Sequence, residues 1–344
     1  MISSIINMEQ NVKVSVCVPV YGVEKYIERC ARSLFEQTMT EGIEFIFVND
    51  CTKDKSIEIL ERVLAEYPHR KDQVKIIHHE KNGGLVAARK TGLRYAVGDY
   101  IIHCDSDDWV DLNMYEKLYN KAVETDADMV YCDFFRSYSP SNVQWIRHYG
   151  SCNKNNFLGE LISGAAMGAL WNKLIKRDIA QKNDYYCPDH IVMMEDLLRV
   201  SQMLMLCEKI AYINMPLYYY FQNSSSIVHN ITPVQVQNMM AILDFFQKTF
   251  KGCVRREDIV PRKILTASYL LECSDLKECK AKFVQYTENI TLREYIKNCK
   301  FLKRSLFVYV GSWNFSIGCS CFKVSKRFWA FLRAGANLRI RVEN

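Results

Sequence analysis

Asp105-Ser106-Asp107-Asp108 puts three carboxylates within four residues. Such charges repel one another unless a cation sits among them. Mg²⁺ or Mn²⁺, held by one or two carboxylates plus a substrate's phosphates, suits that arrangement. The plainer reading is an acidic loop before a helix, although Asp111 could cap that helix alone. A second acidic turn, Asn49-Asp50-Cys51-Thr52-Lys53-Asp54, offers a carboxylate to a nucleobase N–H or a ribose hydroxyl. Its plainer reading is a turn and helix cap supplied by Asp54 or Ser56. Asp50, Thr52, Asp54, Ser56, Glu58 and Glu61 also imitate the spacing of a calcium loop. Lys55 occupies the position that needs glycine, and the segment follows a strand, so calcium is disfavoured. Asn82-Gly83-Gly84 opens a helix that carries Arg89, and glycines there let backbone N–H groups approach an anion; the plainer reading makes Arg89 a structural partner for the acidic loops. Glu195-Asp196 stands at another helix start. Either the pair complements the helix dipole or it supplies a general base aimed into a cleft.

These groups need a frame, and the apolar pattern supplies one. Short β-rich runs at Val14 to Val20, Phe45 to Val48, Val74 to Ile77, Tyr100 to Cys104 and Met129 to Cys132 alternate with helical spacings. The helices are expected at 24–37, 56–67, 84–96 and 112–125. This alternation predicts an α/β fold with a mostly parallel sheet covered by helices on both faces. Open sheets of that kind bind ligands beyond the carboxyl ends of their strands. Asp50, Asn82 and Asp105 to Asp108 all fall there. Residues 134–160 read as loop-rich. A helix is expected from near Glu195, short strands over 209–221, and helices at Val236 to Phe250 and Ile259 to Leu271. The expected division is a catalytic domain at 1–230 and a helical region at 231–344.

Composition narrows the class. Of 344 residues, 49% are hydrophobic and 24% charged, an ordinary globular balance. None of the 14 cysteines forms a CxxC pair, which disfavours a zinc site and fits a reducing cytoplasm. No secretory leader and no run of about 20 apolar residues is seen. From Lys300 onward nine Lys and Arg face Glu343 alone, so eight positive charges collect there and the net charge of +6 is a property of the tail. In that tail Val324, Phe328, Phe331 and Leu332 fall within an arc of about 100°, with Lys323, Lys326, Arg327 and Arg333 opposite and Trp329 between. A basic amphipathic helix with aromatic residues predicts attachment to an anionic membrane surface. The competing reading packs the same apolar face on the catalytic domain. No nucleic-acid partner is expected.

From Val14 to Ile227 the ordered motifs resemble the family 2 glycosyltransferases, inverting enzymes of the GT-A fold. Val14 to Tyr21 resembles the opening strand, with Pro19 and Tyr21 on the donor side. Asn49-Asp50-Cys51-Thr52 resembles the turn that grips the nucleoside, and Asn82-Gly83-Gly84 with Arg89 resembles the segment leading to the metal strand. Asp105-Ser106-Asp107-Asp108 resembles the DxD signature. The resemblance implies that Asp105 faces the nucleoside and Asp107 holds Mn²⁺ or Mg²⁺. Glu195-Asp196 resembles the catalytic pair, with Asp196 as base and Glu195 toward the acceptor. Trp171-Asn172-Lys173-Leu174 resembles an acceptor-side segment. His229 is assigned beside the metal, against the plainer reading of a surface histidine. Several positions depart from the family pattern: Asn49 replaces Asp, Cys51 replaces Gly, Leu112 replaces Pro, and Phe221 to Ile227 lacks the usual Arg and Gly.

What the resemblance implies is transfer of a sugar from a nucleotide-sugar donor, UDP favoured, to a glycan or lipid-linked acceptor. The role would be surface polysaccharide synthesis, peripheral to the inner face of the cytoplasmic membrane. A nucleotidyltransferase would need a Gly-rich basic loop after the first strand, where Tyr21-Gly22-Val23-Glu24 stands. An aspartyl hydrolase would need Asp-x-Asp there. The non-enzyme alternative is a membrane-associated interaction protein on the same fold.

Overall fold

Val14–Val20 carries valines on one face, is largely buried on both, and forms β1, the strand about which the sheet is organised. The structure is a computed structural model that describes residues 12–147, 151–182, 191, 193–222, 232–272, 279–299 and 305–323. Contacts divide the chain into two compact units, residues 1–161 with 165–229 and residues 162–164 with 230–344.

In the first unit the elements follow as β1, α1 (Ile27–Phe35), β2 (Ile43–Asn49), α2 (Ser56–Ala65), β3 (Val74–His78), α3 (Gly84–Tyr95), β4 (Tyr100–His103), β5 (Trp109–Val110), α4 (Met114–Thr125), β6 (Met129–Ser139), β7 (Asn142–Ile146), α5 (Lys154–Ser163), β8 (Lys173–Lys176), α6 (Arg177–Ala180), α7 (Glu195–Leu206) and β9 (Ile210–Phe221). The sheet runs β3-β2-β1-β4-β8-β6-β9-β5, with β7 paired to β6. β1, β2, β3 and β4 are mutually parallel. The chain runs outward from β1 to β3, then crosses back to lay β4 on the other side of β1. That reversal opens a crevice at the carboxyl ends of β1 and β4.

Both faces of the parallel half are covered. Val14, Val16, Val18 and Val20 share one apolar cluster with Leu34 and Phe35 of α1 and Leu60 of α2. Cys17 points the other way, against α3, where a Cβ on Gly92 would stand 3.0 Å from that of Cys17. At the amino ends of the strands, Glu44 takes the Ser15 hydroxyl at 2.6 Å and the Lys75 ammonium at 2.7 Å, so no buried charge is left alone.

The sheet is less uniformly parallel than its sequence suggests. β8 enters antiparallel to both β4 and β6, and β5 is antiparallel to β9. Residues 134–160 are also more regular than expected. β6 continues to Ser139, turns into β7, and α5 follows. Residues 210–221 form one twelve-residue strand, with register shifts where it passes Asp133.

The second unit is helical: α8 (Pro233–Thr249), α9 (Arg256–Glu272), α10 (Cys279–Thr287), α11 (Leu292–Cys299) and α12 (Ser305–Trp313), then a further helix at 315–323. Thr232 and Gln235 exchange side-chain and backbone bonds in a capping box, and Pro233 follows at the first helical position. Leu243, Ile264, Leu270, Phe283, Tyr295 and Val308 fill its core. No helix among the described residues is long and apolar enough to cross a membrane. His229 and the amphipathic pattern of 324–333 lie outside the described residues.

Candidate active site

β4 is buried along its whole length, ends in His103, and with Cys104 delivers Asp105 at the crevice. The acidic turn that follows is held from three sides. The Ser106 hydroxyl donates to the Pro19 carbonyl at 2.7 Å, tying the turn to the end of β1. Arg29 of α1 donates to the Asp107 carbonyl at 2.9 Å, its guanidinium lying 3.8 Å over the Trp109 ring. Asp108 is fully buried and accepts from the Tyr218 hydroxyl and the Phe221 N–H, both at 2.7 Å. Tyr218 also accepts from the Asp105 N–H at 3.1 Å. Asp108 is thus a structural clamp between the turn and β9.

That leaves Asp107. Burial, with the Asp105 charge beside it, pushes its carboxyl up to about 6. Its described bond is to its own backbone N–H. No cluster of three or more ligating side chains occurs among the described residues. One such carboxylate is what a Mg²⁺ or Mn²⁺ shared with a diphosphate requires, so the residues fit a metal completed by substrate oxygens rather than a closed protein cage.

Arg89, on α3, joins distant parts of the sequence. Its guanidinium has 2% of its side chain exposed and bonds Asp105 at 2.8 Å, Glu195 at 2.7 Å and also Asp196. Met194 adopts φ +64° just before α7, a left-handed conformation unusual for a residue with a Cβ, and the first turn of α7 then delivers both acids to Arg89. One cation here faces three carboxylates. Burial, Glu195 and Asp105 therefore outweigh Arg89 and the Leu170 N–H, and the Asp196 carboxyl is pushed up to about 8. Asp196 keeps 20% of its side chain open, so the base candidate is reachable while Arg89 is not. His103, beside them in β4, is held neutral first by burial and then by Arg89 and Arg199.

Several expected residues take different places. The Asp50 carboxylate accepts from the Gly83 and Gly84 N–H groups and from His79 Nδ1, each at 2.8 Å. It satisfies the start of α3 instead of standing open for a nucleoside, because those N–H groups have no partner within their own helix. Asn82 is exposed, its amide 3.3 Å from the Asp50 carbonyl, and Tyr21 is exposed at the end of β1. Cys51 has φ +59°, so the glycine-like backbone persists at a position that carries a side chain. Trp171 lies inside the fold and not at a surface. It is 3% exposed, stacked on Tyr218 at 4.3 Å and edge-on to Phe134 at 4.9 Å, and it stiffens the tyrosine that holds Asp105 and Asp108. Glu195 is buried against Arg89 and not presented to the acceptor side.

Lys173 carries what remains of the Trp171 segment. It is fully buried and donates to Met167 O at 2.8 Å, Ala169 O at 2.7 Å and Asn172 Oδ1 at 2.8 Å. Burial draws its pKa down to about 7, but three acceptors need three N–H donors, and only the ammonium has them. These bonds shape the loop whose Leu170 N–H reaches Asp196. Lys173→Met should cost about 1–3 kcal/mol by orphaning those oxygens. Chemical denaturation would measure this, and an unchanged midpoint would show that the loop does not depend on Lys173. Arg29 and Tyr218 have no signature of their own, and Lys173 stands in the Trp171 motif without its buried role being visible there. Each acts through a contact made by folding, and no spacing encodes it.

Comparison with known proteins completes the description. The model of glycosyl transferase family 2 matches residues 15–200, more than half the chain. The uncharacterized glycosyltransferase EpsJ of Bacillus subtilis is 32% identical over 220 residues, 62% of this chain. The match spans 62% of EpsJ, just under two thirds of its length. Among solved structures, S. aureus TarS 1–349 in complex with UDP-GlcNAc superposes with a TM-score of 0.64 at 16% identity, covering 92% of each chain. The mannosyltransferase PcManGT from Pyrobaculum calidifontis, in complex with GDP-Man and Mn²⁺, superposes at 0.54 and 13% identity over 92% of this chain and 87% of its own. These likenesses are to GT-A transferases and agree with the parallel half-sheet and the acidic turn at its switch point. With the matched segment running from the first strand through the Glu195-Asp196 pair, the chain belongs to glycosyl transferase family 2.

Proposed function

We propose that this chain is an inverting, metal-dependent glycosyltransferase. It takes a sugar from a nucleotide-sugar donor, UDP favoured, and places it on a hydroxyl of a glycan or lipid-linked acceptor, in surface polysaccharide synthesis. The observation that carries the reading is Arg89, which holds Asp105 of the donor-side turn and Asp196 of the base candidate on one guanidinium. Family membership and the UDP-GlcNAc held by the TarS neighbour support the donor class.

In this reading the donor lies over the carboxyl ends of β1 and β4. Tyr21 and Asn82 border it, Pro19 and Asp50 position the turns, and Asp105 meets the nucleoside. Asp107, with His229 as a second candidate, would hold Mn²⁺ or Mg²⁺, which supplies positive charge to the leaving diphosphate. Asp196 accepts the acceptor hydroxyl's proton as that oxygen bonds to the anomeric carbon. The bond from that carbon to the diphosphate oxygen breaks on the opposite face, so an α-linked donor yields a β-linked product. Arg89 and Glu195 fix the carboxylate's direction. The basic tail brings the enzyme to the inner face of the cytoplasmic membrane, where each Lys or Arg contributes about 1 kcal/mol in low salt.

Thermal shift with nucleotide sugars, with and without Mn²⁺, tests this. A cognate donor at a hundredfold excess over Kd should stabilise the protein by about 2.7 kcal/mol, in a metal-dependent way. No shift with any uridine, guanosine or thymidine diphosphate sugar would reject the reading.

A further inference from the structure

From Ser305 to Phe322 the chain has no Asp, Glu, Lys, Arg or His, yet Lys300, Lys303 and Arg304 precede it and Lys323, Lys326 and Arg327 follow. These eighteen residues form two short helices, α12 and 315–323. The chain folds back at Asn314. A Cβ on Gly318 would stand 2.5 Å from the Gly311 Cα, an approach only glycine allows and impossible seven residues apart in one straight helix. The inner side of the pair is accounted for: Val308, Cys319 and Phe322 join the core of the helical unit, and Phe315 packs on Phe283.

The outer side is not. Leu306 is 57% exposed, Trp313 78% and Ile317 53%. Leu306 and Trp313 are seven residues apart on one face of α12, and Ile317 lies in the first turn of the second helix. The polar groups there are already engaged locally. Ser312 donates to the Tyr309 carbonyl at 2.6 Å, Ser320 to the Ser316 carbonyl at 3.0 Å, and the Asn314 side chain takes the Ile317 N–H at 3.2 Å. A water-facing helix normally carries charge on its outer face. This pair carries none before its last residue, Lys323, satisfies its own polar groups, exposes a tryptophan at its turn, and is bracketed by cations. Those properties match a segment lying in a bilayer's interfacial zone, with tryptophan at headgroup depth and Lys and Arg on the lipid phosphates.

We propose that residues 305–322 form a helical hairpin that beds its outer face, Leu306, Trp313 and Ile317, into an anionic lipid surface. It enters one leaflet without crossing, each helix being too short to span. The proposal deepens the membrane placement given above and rests on that placement, with the basic tail as a separate, salt-sensitive attachment. The flanking cations select an anionic bilayer over a second copy of this chain, which would bring like charge against like.

The test uses the full chain and sedimentation with phosphatidylglycerol vesicles, at about 0.1 M and about 0.5 M salt. One variant is Leu306→Ser with Trp313→Ser and Ile317→Ser. The other is Lys326→Glu with Arg327→Glu and Arg333→Glu. All three hairpin positions are exposed, so melting temperature and donor-induced thermal shift should match wild type. Wild type should keep a salt-resistant component of binding. The serine variant should lose it, with partitioning down roughly ten- to a hundredfold at both salts. The glutamate variant should lose only the salt-sensitive component. If the serine variant binds like wild type, the hairpin is overturned and the tail reading survives. If only the glutamate variant is unaffected, the tail reading fails and the hairpin stands. Wild type that ignores vesicles overturns both. A wild-type dimer that the serines make monomeric, with vesicle binding unchanged, identifies a second copy as the occupant and overturns the lipid assignment.

Discussion

Asp196→Asn is expected to lower transfer by roughly 10²–10⁴-fold while donor affinity stays within a few fold. The amide keeps the shape and can still accept from Arg89, so the contacts around Arg89 are preserved. What it removes is the proton acceptor. The pH profile gives a second readout. With its carboxyl pushed up to about 8, wild-type Asp196 becomes a base as pH rises, so kcat/KM should climb toward a plateau above that value. The residual rate of the variant should lack this limb. Stability should move oppositely. A carboxyl raised from its unfolded value near 4 stabilises the fold below pH 4, and that contribution is lost as pH rises toward 8. Melting temperatures should therefore fall less steeply for the variant than for wild type between about pH 5 and pH 8. A collapse of donor affinity with turnover of bound donor intact would instead make Asp196 a binding residue.

Asp107→Asn should cut transfer by roughly 10³-fold or more, because a Lewis acid supplies several kcal/mol of charge stabilisation. The structure makes this a clean test. Arg29 holds the Asp107 carbonyl, Ser106 and Asp108 hold the turn on either side, and none of these contacts uses the Asp107 carboxylate. The variant should melt like wild type without ligand and lose the Mn²⁺-dependent part of its donor-induced shift. Full activity in excess chelator, or an unchanged Mn²⁺ dependence in the variant, would remove the metal from the reading.

The half of the sheet that makes the crevice was legible because its signals are local. β1, β2 and β4 are apolar runs that stop at Asn49-Asp50 and Asp105, and strand ends are where such sheets bind ligands. What connects the strand ends was legible only in outline. Arg89 reads from sequence as one candidate partner for the acidic loops, but which carboxylates it joins, Asp105, Glu195 and Asp196, is decided only after two crossovers. β6 was read too short because Asp133 and Arg136 interrupt its apolar pattern. The structure satisfies Asp133 with the Tyr212 hydroxyl at 2.7 Å and the Trp145 indole N–H at 2.9 Å, groups on two other strands. The resemblance set Trp171 on the acceptor side, and its stacking partners Tyr218 and Tyr220, nearly fifty residues away, could not be read from sequence. Cys51 shows the reverse case. The sequence departs from glycine there, yet the backbone keeps a left-handed φ at a cost of about 1 kcal/mol.

The Arg89 junction has a consequence for the order of events. One guanidinium divided between Asp105 and Asp196 makes the two carboxylates competitors for it. Any ligand that draws Asp105 away frees Arg89 to favour the ionised form of Asp196, so occupancy of the donor side lowers the proton affinity of the base. Reciprocity then requires that loss of the Asp196 proton tighten that ligand's binding by the same factor. On the roles proposed above, such a site would arm its base when the first substrate is seated, and a lone acceptor hydroxyl would meet a carboxyl that still carries its proton.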